Sequence, residues 1–121
     1  MPRPSHFEIP VDDPDRAEAF YGTVFGWTFQ RYDGAPSYYG LATTGEDGLG
    51  INGALFKRGD DSETTLTMDV GSIEDAIATI KANGGKVVQD KTPIPTMGYF
   101  ATCVDTEGNK FGLFTRDSSA A

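Results

Sequence analysis

The chain is short of cysteine and of positive charge, and each shortage closes off a class of function. A single cysteine, Cys103, excludes an intramolecular disulfide and fits a reducing compartment. Ten Lys and Arg stand against eighteen Asp and Glu, a net charge of −8. Nucleic-acid affinity comes largely from clustered cations, and here they are scattered, so no nucleic-acid partner is expected. The acidity itself reads as a solvated surface. No apolar run approaches the ~18 residues of a membrane span, and no charged-then-apolar leader opens the chain. A soluble, cytoplasmic protein without a membrane partner is the expectation. What is present suffices for one compact domain over residues 1–121: 121 residues, 38% of them hydrophobic, bury about two-thirds of their unfolded surface.

The chain is organised around His6 to Trp27, which reads as strand, turn and amphipathic helix. Phe7, Ile9 and Val11 alternate with His6, Glu8 and Pro10, the period of two of a strand packed on one face. Asp13 is placed to cap the helix, Pro14 suits its first position and Asp15 favours its positive end. Ala17, Phe20, Tyr21, Val24 and Phe25 form one apolar stripe, expected to cover the strand's apolar face, and Gly26 ends the helix. Further strands are expected at Thr28 to Tyr32, Ser37 to Thr43 and Ile51 to Phe56. Between the last two lies a loop with Gly45, Gly48 and Gly50, which lacks the lysine and following helix of a phosphate-binding loop. Lys57 to Ser62 is wholly polar and reads as a linker.

After the linker the order starts again. Thr65, Thr67 and Asp69 alternate with Leu66, Met68 and Val70. Ser72 caps a helix striped by Ile73, Ala76, Ile77 and Ile80, which Gly84 and Gly85 end. Strands follow at Lys86 to Gln89, Tyr99 to Val104 and Lys110 to Thr115, with a turn expected around Pro93 and Pro95. A shift of 59 residues without a gap lays His6 on Thr65, Val11 on Val70, Ala17 on Ala76, Gly26 on Gly85, Ala42 on Ala101 and Gly53 on Gly112. The expected fold is α+β: two tandem βαβββ modules, about 5–57 and 63–115, forming a cupped mixed sheet with a cavity between them. That cavity is the default binding site. His6, Glu8, Thr65 and Thr67 fall on the face away from the helices, with aromatic walls from among Trp27, Tyr38, Tyr39, Tyr99 and Phe111.

These residues carry a resemblance. His6 with Asp12, Asp13, Pro14, Arg16, Ala17, Phe20, Tyr21, Phe25, Gly26 and Trp27, then Asn83 to Gly85, then Asp105 to Phe114 (DTEGNKFGLF), resemble the vicinal oxygen chelate superfamily. That superfamily contains glyoxalase I, extradiol dioxygenases, fosfomycin-resistance enzymes and bleomycin-binding proteins. The resemblance spans about residues 5 to 115 and is nearest to small glyoxalase-like proteins. It implies paired βαβββ modules and a homodimer; it speaks weakly to activity, because such a fold carries both enzymes and binding proteins.

The superfamily's catalytic members hold a divalent metal with His and Glu from four strands. Here His6 stands at the first ligand position, while the others fall on Thr65, on Gly53 or its neighbour Asn52, and on Gly112. Three protein ligands are the usual minimum of a catalytic site, so no metal cofactor is expected; if one binds, His6 and Glu8 are its residues. The reading is a small-molecule-binding protein whose candidate ligand residues are His6, Glu8, Trp27, Tyr38, Tyr39, Asn52, Thr65, Tyr99 and Phe111. The alternatives are a metal-dependent lyase or dioxygenase with an altered ligand set, and a non-catalytic interaction module. Gly53 and Gly112 are read as leaving space in the cavity or, alternatively, as close strand packing.

Overall fold

The structure, a computed structural model, describes residues 2–121. It is α+β, with eight strands and two helices: β1 (Arg3–Val11), α1 (Pro14–Phe25), β2 (Thr28–Arg31), β3 (Tyr39–Thr43), β4 (Asn52–Lys57), β5 (Thr65–Asp69), α2 (Ile73–Ala82), β6 (Lys86–Ile94), β7 (Gly98–Val104) and β8 (Lys110–Arg116). Two compact units divide these elements: residues 6–64 form the first, and residues 65–121, with 2–5, the second. Each is a βαβββ unit.

In the first unit the strands run in the order β2-β3-β4-β1, with β1 parallel to β4 and the other pairs antiparallel. Asp13 caps α1, its carboxylate accepting from the Arg16 amide, and Gly26 ends it at φ 76°, a left-handed conformation that glycine adopts without steric penalty. Phe7, Val11, Ala42 and Leu55 are buried on the side of the sheet that α1 covers.

The stripe expected to dock α1 is rotated. Ala17, Glu18, Tyr21 and Gly22 are half-buried, while Phe20, Val24 and Phe25 are each more than half exposed. The reason is Trp27. Its ring stacks on Tyr21 at 4.8 Å and 8° and leans on Phe7 at 5.3 Å, so it takes the place against the sheet that the helix's own large side chains were expected to fill.

The second unit repeats the plan as β5-β8-β7-β6, with β5 parallel to β8. Here α2 docks as its periodicity predicts: Ile73 and Ile77 join Val70, Ala101, Cys103 and Leu113 in a buried cluster, with Ala76 and Ile80 at its margin. Ser72 caps α2 by accepting from the Asp75 amide. Strand β6 runs on to Ile94, past Gln89 and through Pro93, where a turn was expected. It is an edge strand with two register shifts against β7, a setting that tolerates a missing N–H.

The 59-residue repeat slips by one at its last strand. Gly53 pairs with Phe7, whose repeat equivalent is Leu66, yet Gly112 pairs with Thr67. A slip of one residue exchanges the two faces of a strand. Ala54 therefore lies on the His6 side of its sheet, while its equivalent Leu113 lies in the α2 core.

Candidate functional site

Register decides which side chains of the first unit share a face. Glu8 pairs with Ala54, Ala54 with Leu41, and Leu41 with Gln30, so these four stand in a row across the sheet. His6 is opposite Asn52 at one end of this face, and Phe56 opposite Tyr39 at the other. α1 packs on the far side, against β2 and β4.

On this face three side chains meet. The Tyr39 hydroxyl donates its one proton to Glu8 Oε2 at 2.5 Å, within the range of a charge-assisted O–H···O⁻ bond. His6 Nε2 lies 3.0 Å from the same hydroxyl and, that proton being spent, is the donor to its oxygen. His6 and Glu8 are themselves 3.5 Å apart, with side chains about a third exposed (29% and 32%). Burial alone would push the Glu8 carboxyl up, but the hydrogen bonds from His6 and Tyr39 and the charge of His6 outweigh it and hold the carboxyl below its ordinary value. Burial first, then the charge of Glu8, pushes the Tyr39 phenol well above its ordinary range. The trio is thus a fixed carboxylate beside a proton that is held tightly. Tyr32 meets the Tyr39 ring edge-on at 6.4 Å and extends an aromatic wall.

The other residues singled out from sequence are placed as follows. Asn52 shares the His6 face, but its Oδ1 accepts from the amide and hydroxyl of Thr44 and holds the neck of the following loop. Thr65 opens β5 in the second unit and is half-buried. Four assignments to the open face are corrected. Trp27 packs with Phe7 and Tyr21 beneath α1. Tyr38, one residue from Tyr39, has the opposite parity and donates to Glu18 of α1 at 2.7 Å. Tyr99 and Phe111 lie against the α2 core, Phe111 because of the one-residue slip in β8. Phe111 does line a groove of about 740 Å³ beside α2, with Met68, Val70, Ile80 and Leu113, which offers apolar contact and little chemistry. Leu41, Ala54 and Phe56 belong to the face and were missed; the signal was their alternation with Ala42, Leu55 and Lys57.

The paired glycines are close-packing positions. A Cβ on Gly53 would collide with the Phe7 carbonyl oxygen, and one on Gly112 would lie 2.9 Å from the Thr67 hydroxyl. Cys103 is wholly buried, and desolvation, followed by the charge of Asp90, pushes its thiol up, which suits a core residue.

A divalent metal does not fit this donor set. His6 Nε2 and Glu8 Oε2 are both engaged with the Tyr39 hydroxyl, and among the described residues no cluster of three or more His, Cys, Asp or Glu side chains could hold an ion.

The bleomycin resistance protein-like N-terminal family matches residues 3–43. A protein of Didymella fabae described as glyoxylase-like domain-containing is 31% identical over 124 residues, covering 93% of this chain and 92% of that protein. A hypothetical protein from Bacillus halodurans superposes with a TM-score of 0.77 at 17% identity, covering 100% of this chain and 99% of the other. Methylmalonyl-CoA epimerase from Mycobacterium tuberculosis superposes with a TM-score of 0.70 at 15% identity, over 94% and 87% of the two chains. Likenesses at such identities speak to the fold alone. Among the described residues no helix is long and apolar enough to cross a membrane.

Proposed function

Because the chain belongs to the glyoxalase-like family related to bleomycin resistance proteins, we propose that it binds a small, partly apolar, cationic or uncharged molecule on the His6–Glu8–Tyr39 face, without a catalytic metal. The observation that carries this reading is the outward carboxylate oxygen of the trio: His6 Nε2 and Glu8 Oε2 are both engaged with the Tyr39 hydroxyl, which leaves Glu8 Oε1 without a partner among the described residues. That oxygen is an acceptor offered to a ligand N–H or cation. Leu41, Phe56 and Tyr32 supply apolar and aromatic surface around it, and a cation over an aromatic ring gains about 0.5–2 kcal/mol.

Charge selects in the same direction. The strand positions of this face hold no Lys or Arg; Arg31 lies on the opposite face, bound to Asp15 and Glu18, and Lys57 and Arg58 reach Asp12. An anion would find no guanidinium fork there. Binding rather than proton transfer suits the trio, since a carboxyl held below its ordinary value is a weak base and a phenol held above its own is a weak acid.

Three matched probes test this: phenethylammonium, 2-phenylethanol and phenylacetate, titrated against the intact protein by calorimetry. Phenethylammonium is expected to bind best and phenylacetate worst, with the cation's advantage reduced in Glu8→Gln. A preference for phenylacetate, or a cation advantage that is undiminished in Glu8→Gln, overturns the assignment. The rival metal-dependent lyase or dioxygenase reading is tested by thermal shift: low-micromolar Ni²⁺, Zn²⁺ or Mn²⁺ is expected to leave the melting temperature unchanged, because a ligand stabilises by RT ln(1 + [L]/Kd). A rise of several degrees, lost in His6→Ala, establishes the rival instead.

A further inference from the structure

The segment from Thr44 to Ile51 joins β3 to β4 at the end of the sheet where His6 faces Asn52. Its neck is fixed: Asn52 Oδ1 accepts from the Thr44 amide at 2.9 Å, and the Thr44 hydroxyl donates to the Ile51 carbonyl at 2.7 Å. Its head stands free. A Cβ on Gly45, Gly48 or Gly50 would meet nothing within 4 Å, and Gly48 sits at φ 77°. Leu49, between two glycines, is fully exposed, at 106% of its reference area. The loop surrounds about 130 Å³ of its own space, so it is not collapsed on itself.

We propose that residues 44–51 are a lid that folds onto the His6–Glu8–Tyr39 face and lays Leu49 against the bound molecule. The proposal rests on the ligand face assigned above and adds its missing apolar cover. Direction follows from the two sides of the sheet. The far side is filled by α1 and Trp27, whereas the near side carries no helix of this unit, and Asn52 pins the neck from that side. Reach is sufficient. About four residues from neck to tip span ~13 Å when extended, while Ala54, the register partner of Glu8, lies two residues, or ~7 Å, along β4 from Asn52. The glycines provide the backbone freedom such a movement needs. Closure would also carry Glu46 and Asp47 toward the ligand, reinforcing the preference for a cation.

Cross-linking tests the movement without any ligand. Leu49→Cys is combined with Gln30→Cys, an exposed position on the open face, or with Phe25→Cys, an exposed position at the α1 end; buried Cys103 does not compete. Under mild oxidation an intramolecular disulfide is expected with Gln30→Cys and not with Phe25→Cys, since a disulfide needs Cα atoms within about 7 Å. Leu41→Cys, in the same row, serves as the second partner. No link to either open-face position, or equal links to Phe25→Cys, overturns the lid. Contact with the ligand is read by Leu49→Ala, which is expected to weaken phenethylammonium about tenfold while leaving the melting temperature unchanged. An unchanged affinity overturns that contact. Failure of the intact protein to bind phenethylammonium would instead count against the ligand assignment, with the cross-link still deciding the movement.

Discussion

At the scale of single residues, the trio's protonation states give Glu8 a measurable signature. Its carboxyl is held below the ordinary value of 4.5. A group whose folded-state value is depressed stabilises the fold fully above its unfolded value and loses that contribution as pH falls through the folded one. Asp105 and Asp117 are depressed as well, by hydrogen bonds from Asn109 and Ser119 respectively, so the whole protein weakens in acid. A variant isolates the share of Glu8, because the two aspartates are common to both proteins. The gap in melting temperature between wild type and Glu8→Gln is expected to narrow between about pH 7 and about pH 3. A gap that stays constant or widens means that the carboxylate draws no stabilisation from His6 and Tyr39. Tyr39 acts at the other end of the scale: its raised phenol favours the fold below the ordinary value of 10.0 and less so as pH climbs beyond it.

At the scale of elements, two helices with similar apolar stripes dock differently, and the energetics should show it. Ile77, buried among Val70, Ala101 and Leu113, leaves a cavity when truncated, so Ile77→Ala is expected to cost about 3 kcal/mol. Phe25 is 60% exposed, and Phe25→Ala is expected to cost about 1 kcal/mol or less. Chemical denaturation of both variants checks the contrast; equal losses would mean that α1 docks by the stripe read from its periodicity. The helix ends, the unit order and the α2 stripe were legible because caps and a 3.6-residue period act locally on neighbouring residues. The side chosen by the aromatics was not. Tyr38 and Tyr39 are chemically alike and adjacent, and only the pairing of Tyr39 with Phe56 decides that one reaches α1 and the other reaches Glu8. Phe111 shows the same limit: alternation alone did not decide its side, and the register of β8, one residue out of step with the repeat, turns it toward α2. Of the trio, His6 and Glu8 were legible as a period-two pair, whereas their union through the Tyr39 hydroxyl depends on contacts 31 and 33 residues apart in the chain.

At the scale of the whole molecule, the excess of acidic side chains sets a field that local contacts do not. A net charge of −8 attracts a cation before any hydrogen bond forms, and that attraction is screened over a Debye length of ~30 Å at 0.01 M salt but only ~3 Å at 1 M. The three probes should therefore respond to salt with different signs. Phenethylammonium is expected to bind more weakly as salt rises, phenylacetate less poorly, and 2-phenylethanol almost equally throughout. Glu8→Gln separates the local charge from the distributed one. Removing one carboxylate of eighteen acidic residues leaves most of the field in place, so the salt slope for phenethylammonium should persist in the variant while its affinity at every salt concentration drops. If the slope vanishes with Glu8, the selectivity is purely local and the distributed charge serves only solubility. If all three probes respond alike, salt is acting on the protein rather than on the encounter, and charge has no part in choosing the ligand.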